Sequence, residues 1–434
     1  MDPRTTLLER PMGRFQIVAI ILCVALNALD GFDVLSISFA SPGIASEWGI
    51  DRGALGIVLS MELIGMGFGS VLLGSVADRI GRRPTILACL VLMAAGMLAV
   101  TSAHNVTMLS VYRLITGLGI GGMLAAINAM AAEYANRRRR PLAVAIMAAG
   151  YPIGAVVGGS IASVLLASHD WRAVFLFGAS VTAAFIPLIW LLMPESIEFL
   201  MHKRPPGALE KINRTLARMG HPASEALPDV LPDAPRASFA ALFAPGLATL
   251  TILLTAAYFF HVMTFYFILK WIPKIVVDMG FAPSAAGGVL VWANVGGASG
   301  ALLFGLLAQK IDLRRLIIAF MLASTMMVIL FGRGQADLSR LALVAGIAGF
   351  CTNAVIVGLY AMFARVFPTH LRAGGTGFAV GVGRAGAALG PVIAGFLFQA
   401  GYGLAGVAIV MSLGSLAAAI IITALGSRAR PAEA

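Results

Sequence analysis

Charge is what this sequence has least of. Of 434 residues, 12% are Asp, Glu, Lys or Arg and 59% are hydrophobic, whereas soluble domains carry about a quarter charged residues. With a mean hydropathy of +0.91, that scarcity excludes a soluble globular protein. Cysteine is nearly absent: Cys23, Cys89 and Cys351 lie singly inside apolar segments, which excludes a disulfide framework or a cysteine metal site. No nucleophile stands with its base, and no metal-ligand spacing or nucleotide loop occurs. Neither enzymatic chemistry nor a cofactor is expected, and without a soluble signalling domain a receptor is a poor alternative. The net charge of +11 does not point to nucleic acid, because the cations fall in alternate loops, as they do in an oriented membrane protein.

What is present is a succession of apolar runs, each long enough for the ~20 residues that cross a bilayer as a helix. Twelve spans are predicted, near 14–40, 53–77, 84–103, 107–134, 141–167, 172–193, 246–272, 283–309, 315–332, 338–366, 373–399 and 402–426. The first is too long, and too acidic at Asp30 and Asp33, for a cleavable signal. Arg79, Arg82, Arg83, Arg137 to Arg140, Lys310, Arg314 and Arg315 share the loops on one side. The positive-inside rule makes that side cytoplasmic and puts both termini there. The expectation is a multi-pass, all-α protein of the cytoplasmic (inner) membrane, in contact with lipid and monomeric.

One polar stretch, 195–245, divides the spans into a six-helix bundle over 1–194 and another over 246–434. Within it, "ALEKINRTLARM" (208–219) gathers Leu209, Ile212, Leu216 and Met219 on one face, which predicts a short amphipathic helix on the cytoplasmic surface. The halves repeat at a shift of about 231 residues: "GSVADRIGRR" (74–83) matches "GLLAQKIDLR" (305–314), and "GAVVG" (154–158) matches "GAALG" (386–390). Parallel six-span repeats are a transporter architecture with its site near the midplane, between the halves.

The loop "GSVADRIGRR" and the fourth-span segment "VYRLITGLGIGG" (111–122) together resemble the major facilitator superfamily, over nearly the whole chain, and "LMPESIEFL" (192–200) agrees. "DGFD" in span one, "EYANRRRRP" (133–141), "KWIPKIVVDMG" (270–280) and "FPTHLRAGGTGFAVGVGRAGAALGP" (367–391) resemble its aromatic acid:proton symporter branch. Two departures stand out. Gln309 replaces the Asp that would repeat Asp78, and "GYPIGAVVGG" (150–159) nearly matches an antiporter-type motif but has Ala155 in place of its proline. The resemblance implies import of a small aromatic carboxylate, of hydroxybenzoate type, with a proton by alternating access. A muconate-like dicarboxylate importer and a proton-coupled drug or metabolite exporter remain alternatives.

Charges inside the spans are the candidate machinery, since a carboxylate at the bilayer centre costs roughly 2.5–3.5 kcal/mol on insertion scales. Asp30 and Asp33 stand at i and i+3, on one helical face. Counted along the helices, Asp33 matches Arg113 in depth and Asp30 matches Glu62. An Asp33–Arg113 pair is therefore expected, with Asp30, desolvated near Glu62, carrying the proton. Arg384, among small residues in span eleven, is the expected carboxylate ligand, because a guanidinium grips a carboxylate with two parallel hydrogen bonds. Lys270 is a gate or a second anion contact, or else snorkels to the interface. Tyr266, His261 and Asn353 complete the substrate-binding candidates. Asp78, Arg82 and Arg83, at the cytoplasmic mouth, are expected to latch the halves in one state.

Overall fold

The structure, a computed structural model, describes residues 2–227, 239–334, 336–368 and 371–425. A short α1 (Pro3–Glu9) precedes six long helices: α2 (Arg14–Trp48), α3 (Arg52–Ile80), α4 (Arg82–Val100), α5 (Val106–Tyr134), α6 (Arg140–Leu165) and α7 (Arg172–Leu192). Two short helices follow, α8 (Ile197–Lys203) and α9 (Ala208–Met219). The second half holds α10 (Ala248–Asp278), α11 (Pro283–Leu307), α12 (Leu313–Gly332), α13 (Leu338–Val366), α14 (Arg372–Gln399) and α15 (Leu404–Ala424). Twelve of these helices are long and apolar enough to cross a membrane, in agreement with the expected spans.

Two helices outrun their expected ends, both at a proline. Helix α2 continues through Pro42 to Trp48, and α10 through Pro273 to Asp278. Proline removes one backbone donor, which normally argues for a helix end. Within a membrane protein a neighbouring hydroxyl can satisfy the freed carbonyl. Ser41 does this for α2, its Oγ donating to the Ser38 carbonyl at 2.8 Å.

Glycine sets how the helices pack. Gly65 and Gly69 on α3 face the backbone of α5, and Gly117 and Gly121 on α5 face that of α3. A Cβ at any of the four would collide with a main-chain oxygen of the partner. Gly296, Gly300 and Gly349 do the same between α11 and α13. Gly154 brings α6 onto α2, as Gly386 and Gly390 bring α14 onto α10. The same pairs recur in both halves, so the weak sequence repeat is a repeat of packing. Close backbone approach through small residues is how membrane helices gain contact without a hydrophobic driving force.

The two bundles meet through α2 with α10, α3 with α14, and α6 with α11. At the end bearing Asp51 and Asp278 they touch. Ser60 Oγ donates to the Ala388 carbonyl at 2.6 Å, Gly56 lies against Pro391 and Gly395, and Arg52 pairs with Asp278 at 3.0 Å. Toward the opposite end, the end of Arg79 to Arg83, these faces part. Among the described residues, a Cβ at Gly374, Gly377 or Gly381 on α14, or at Gly67 on α3, would meet nothing within 4 Å. Phe68 and Val71 are 61% and 71% exposed. The cleft between the bundles is closed at one end and open at the other.

The amphipathic helix forms where expected, as α9, but its apolar face is covered by protein. Ile212, Leu216 and Met219 are buried, Met219 against Gly13 just before α2. Arg218 stacks over Phe15 at 3.9 Å, and His221 Nε2 lies 3.0 Å from Gln16 Oε1. Residues 228–238 of the polar stretch lie outside the described residues.

Candidate functional site

Where α2, α3, α5 and α10 converge, five charged side chains are almost wholly buried. Asp30 is 1% exposed, and Asp33, Glu62, Arg113 and Lys270 are 0%. Glu62 is the hub. One of its oxygens pairs with the Arg113 guanidinium, from its own bundle, and the other lies 3.6 Å from Lys270 Nζ, from the opposite bundle. Arg113 also donates to the main-chain carbonyl of Asp33 at 3.0 Å and lies over the Phe175 ring at 5.4 Å. Lys270 donates to the main-chain carbonyl of Val34.

This corrects the expected pairing. Arg113 forms its ion pair with Glu62 and reaches Asp33 only through the backbone. The reason is local: Gly117, one turn along from Arg113, packs directly on the backbone of Glu62, so these two side chains start as near neighbours. Counting depth from residue 40 also misplaced α2, which runs on to Trp48. The carboxylate oxygens of Asp30 and Asp33 are buried without a hydrogen-bond partner among the described residues. A buried carboxylate in that position is costly to keep charged unless a cation or a proton neutralises it.

Asp30 is linked electrostatically to the other candidate. Its carboxylate lies within electrostatic reach of Asp33, of Glu62 and, across the interface, of Arg384 on α14. Arg384 is half-buried and acts likewise on Tyr258 and Tyr266 of α10. Tyr258 joins Tyr360 of α13 hydroxyl to hydroxyl at 3.1 Å. From the first bundle, Tyr151 of α6 brings its buried hydroxyl close to Tyr266 without a hydrogen bond of good geometry. Arg384 thus lies within electrostatic reach of two phenols of its own bundle and of a carboxylate of the other. Tyr151 and Tyr360 were not singled out from sequence. Tyr151 sits beside Gly150 and one turn before Gly154, which seat α6 on α2, and that glycine spacing was the available signal.

Other candidates lie elsewhere. His261 is inside the second bundle's own core, with Nδ1 3.0 Å from Ser415 Oγ and Nε2 2.8 Å from the Thr352 carbonyl. Both ring nitrogens are engaged away from Arg384, as suits a packing residue. Asn353 is half-buried with its amide against Gly297 of α11. Lys270 does not snorkel; it is fully buried.

Among the described residues, the partners of Arg82 and Arg83 lie in the first bundle and at the start of the connecting segment, none in the second bundle. Arg82 pairs with Glu133 at 2.9 Å and donates to Ser196 Oγ at 3.3 Å, while its backbone N–H donates to Glu195 at 2.9 Å. Arg83 donates to the Trp190 carbonyl and stacks over that ring at 5.5 Å. Asp78 is exposed beside them. These contacts tie the ends of α3, α4, α5 and α7 to each other rather than to the second bundle. Burial holds the Glu195 carboxyl above the ordinary glutamate range, against the opposing pull of the N–H groups of Ser196, Arg83 and Arg82 and of the Arg82 charge.

Comparison with known proteins bears on this arrangement. The sequence model of the Major Facilitator Superfamily matches residues 21–331 and 254–434. A gallate transporter of Pseudomonas putida is 31% identical over 100% of this chain and 97% of its own length. The 3-(3-hydroxy-phenyl)propionate transporter of Escherichia coli is 32% identical over 94% and 93%. A 4-hydroxybenzoate transporter of Pseudomonas putida is 30% identical over 90% and 88%. The solved structure of the Escherichia coli xylose transporter XylE, in a partially occluded inward open conformation, superimposes with a TM-score of 0.72. It covers 95% of this chain and 98% of that one at 16% identity, a likeness of fold.

Proposed function

The chain belongs to the major facilitator superfamily, in its aromatic acid transporter branch, and is a multi-pass transporter of the cytoplasmic membrane, not an enzyme; from that premise we propose that it imports small hydroxylated aromatic carboxylates together with a proton. The observation that carries this reading is that buried Asp30 of one bundle lies within electrostatic reach of Arg384 of the other.

A substrate carboxylate and the Asp30 carboxylate compete for the same guanidinium. While Asp30 is charged, Arg384 has an internal counterion. Once Asp30 takes a proton, Arg384 is free to grip the incoming anion, and proton and anion load as a neutral pair. Releasing one favours release of the other, because the freed guanidinium again attracts a charged Asp30. Tyr258, Tyr266, Tyr360 and Tyr151 supply ring edges and hydroxyls to a phenolic substrate. The relatives' named cargoes, gallate, 4-hydroxybenzoate and 3-(3-hydroxyphenyl)propionate, are acids of this kind.

A cleft closed at one end and open at the other supports alternating access. The open end carries the arginine-rich loops, so the positive-inside rule makes it cytoplasmic, with both termini there and the structure facing inward. The 1–194 and 246–434 bundles are the rocking units, and the 195–245 segment connects them. Arg82 and Arg83 brace the first bundle at that mouth, with Asp78 exposed beside them, and all three meet the second bundle when the mouth closes. The dicarboxylate alternative wants Lys270 as its second cation, and Lys270 is engaged by Glu62 and Val34.

Equilibrium binding to purified protein tests the site. Hydrogen bonds to charged groups are worth about 1.5–3 kcal/mol, so Arg384→Gln should weaken binding of a hydroxybenzoate by ~10-fold or more. An Arg384→Gln protein that binds as tightly as the parent refutes the assignment.

A further inference from the structure

Lys270 has a role that the substrate site does not require. We propose that it is the positioning residue that locks the bundles together on the closed side of the cavity, its ammonium being the cation through which α10 grips α3 and α2 at once.

Three observations lead there. The ammonium comes from the second bundle, yet its partners, the Glu62 carboxylate and the Val34 carbonyl, belong to two different helices of the first. Glu62 does not need it for its own bundle, since Arg113 already neutralises that carboxylate. And the contact sits at the closed end of the cleft, in the interface that also holds the Ser60–Ala388 hydrogen bond. Lys270 faces Glu62 from α3, Arg113 from α5 and the backbone of α2 beside Asp33.

This arrangement makes the lock separable. Parting the bundles withdraws Lys270 from both acceptors in one movement and leaves the Glu62–Arg113 pair intact, so Glu62 keeps a buried counterion as the bundles part. The outer pair Arg52–Asp278 spans the same interface, but its side chains are 42% and 31% exposed. Exposed pairs are screened and contribute little. The buried cation therefore sets how much of the population is closed.

The proposal rests on the transporter reading only in requiring two bundles that move, and its test needs neither substrate nor transport. Ser60→Cys places a thiol in the closed interface, where the native hydroxyl is 0% exposed. Protein in nanodiscs, with both faces reachable, is labelled with a polar maleimide, and the same protein without Ser60→Cys gives the background of the buried native cysteines. Added to Ser60→Cys, Lys270→Gln or the near-isosteric Lys270→Met should speed labelling roughly tenfold or more, while Lys270→Arg, which keeps the charge, should label as slowly as the parent. Two neutral variants are read so that poor insertion of one leaves the comparison standing. Neutral variants as slow as the parent would overturn the lock, and so would Lys270→Arg labelling as fast as Lys270→Gln, since shape rather than charge would then hold the interface.

Discussion

Replacing Glu62 by Gln would strand two buried cations at once. Arg113 and Lys270 are both 0% exposed, and the carboxylate between them is their shared counterion. Glutamine keeps the shape and one acceptor oxygen but removes the charge. Breaking a buried pair by removing one partner costs about 3–5 kcal/mol, because the charge left behind is uncompensated. Here the Asp33 carboxyl, within electrostatic reach of Arg113, and the carbonyls of Asp33 and Val34 remain and offset part of that loss. At roughly 2 °C per kcal/mol for a large chain, the midpoint of thermal unfolding in detergent should fall on the order of 5 °C or more. Lys270→Gln is the informative partner. It leaves the Glu62–Arg113 pair whole and should lower the midpoint much less. The assay is scanning fluorimetry on matched preparations. A Glu62→Gln protein no less stable than Lys270→Gln would refute the hub.

Three further outcomes follow from the same geometry. Asp30→Asn should abolish accumulation driven by a pH gradient while sparing exchange of labelled for unlabelled substrate; retained uphill uptake would remove Asp30 as proton carrier. Gly117→Leu drives a side chain into the Glu62 backbone and should cost several kcal/mol of stability, as overpacking does in rigid cores, read as loss of monodisperse protein on sizing; a well-behaved Gly117→Leu protein would contradict the α3–α5 packing. Burial raises the Glu195 carboxyl, so the folded protein keeps a proton that the unfolded chain releases. Stability is then lost as pH rises from the ordinary glutamate value through that of Glu195. Glu195→Gln should flatten this slope in thermal melts taken across mildly acidic pH, and an unchanged slope would show that Glu195 is not its source.

Much of the architecture was legible because bilayer thickness, charge scarcity and loop arginines constrain a membrane chain strongly. Spans two to six and eight to twelve appear close to their predicted limits. Spans one and seven ran past Pro42 and Pro273; at Pro42 the lost donor is replaced by the Ser41 hydroxyl, a repair that sequence spacing does not display. The intramembrane charges were found as a set but paired wrongly. Depth along separate helices ignores which helices touch, and the deciding contact was backbone on backbone at Gly65, Gly69, Gly117 and Gly121. Those glycines recur every fourth residue on both helices, so α3–α5 contact was inferable, and with it Glu62 beside Arg113. His261 was a candidate as the counterpart of Asp30 under the 231-residue repeat, and its partners proved to be Ser415 and Thr352. Long-range hydrogen bonds of that sort leave no periodic trace in a sequence.

The central claim is that anion and proton enter together. Purified protein in liposomes, with a pH-sensitive dye trapped inside, tests it when a poorly permeant hydroxylated aromatic acid is added outside. Protein-free liposomes and Asp30→Asn protein set the baselines. Acidification of the lumen beyond both baselines is the predicted result. Alkalinisation would mean that a proton leaves as substrate enters, which contradicts symport and favours the exporter alternative.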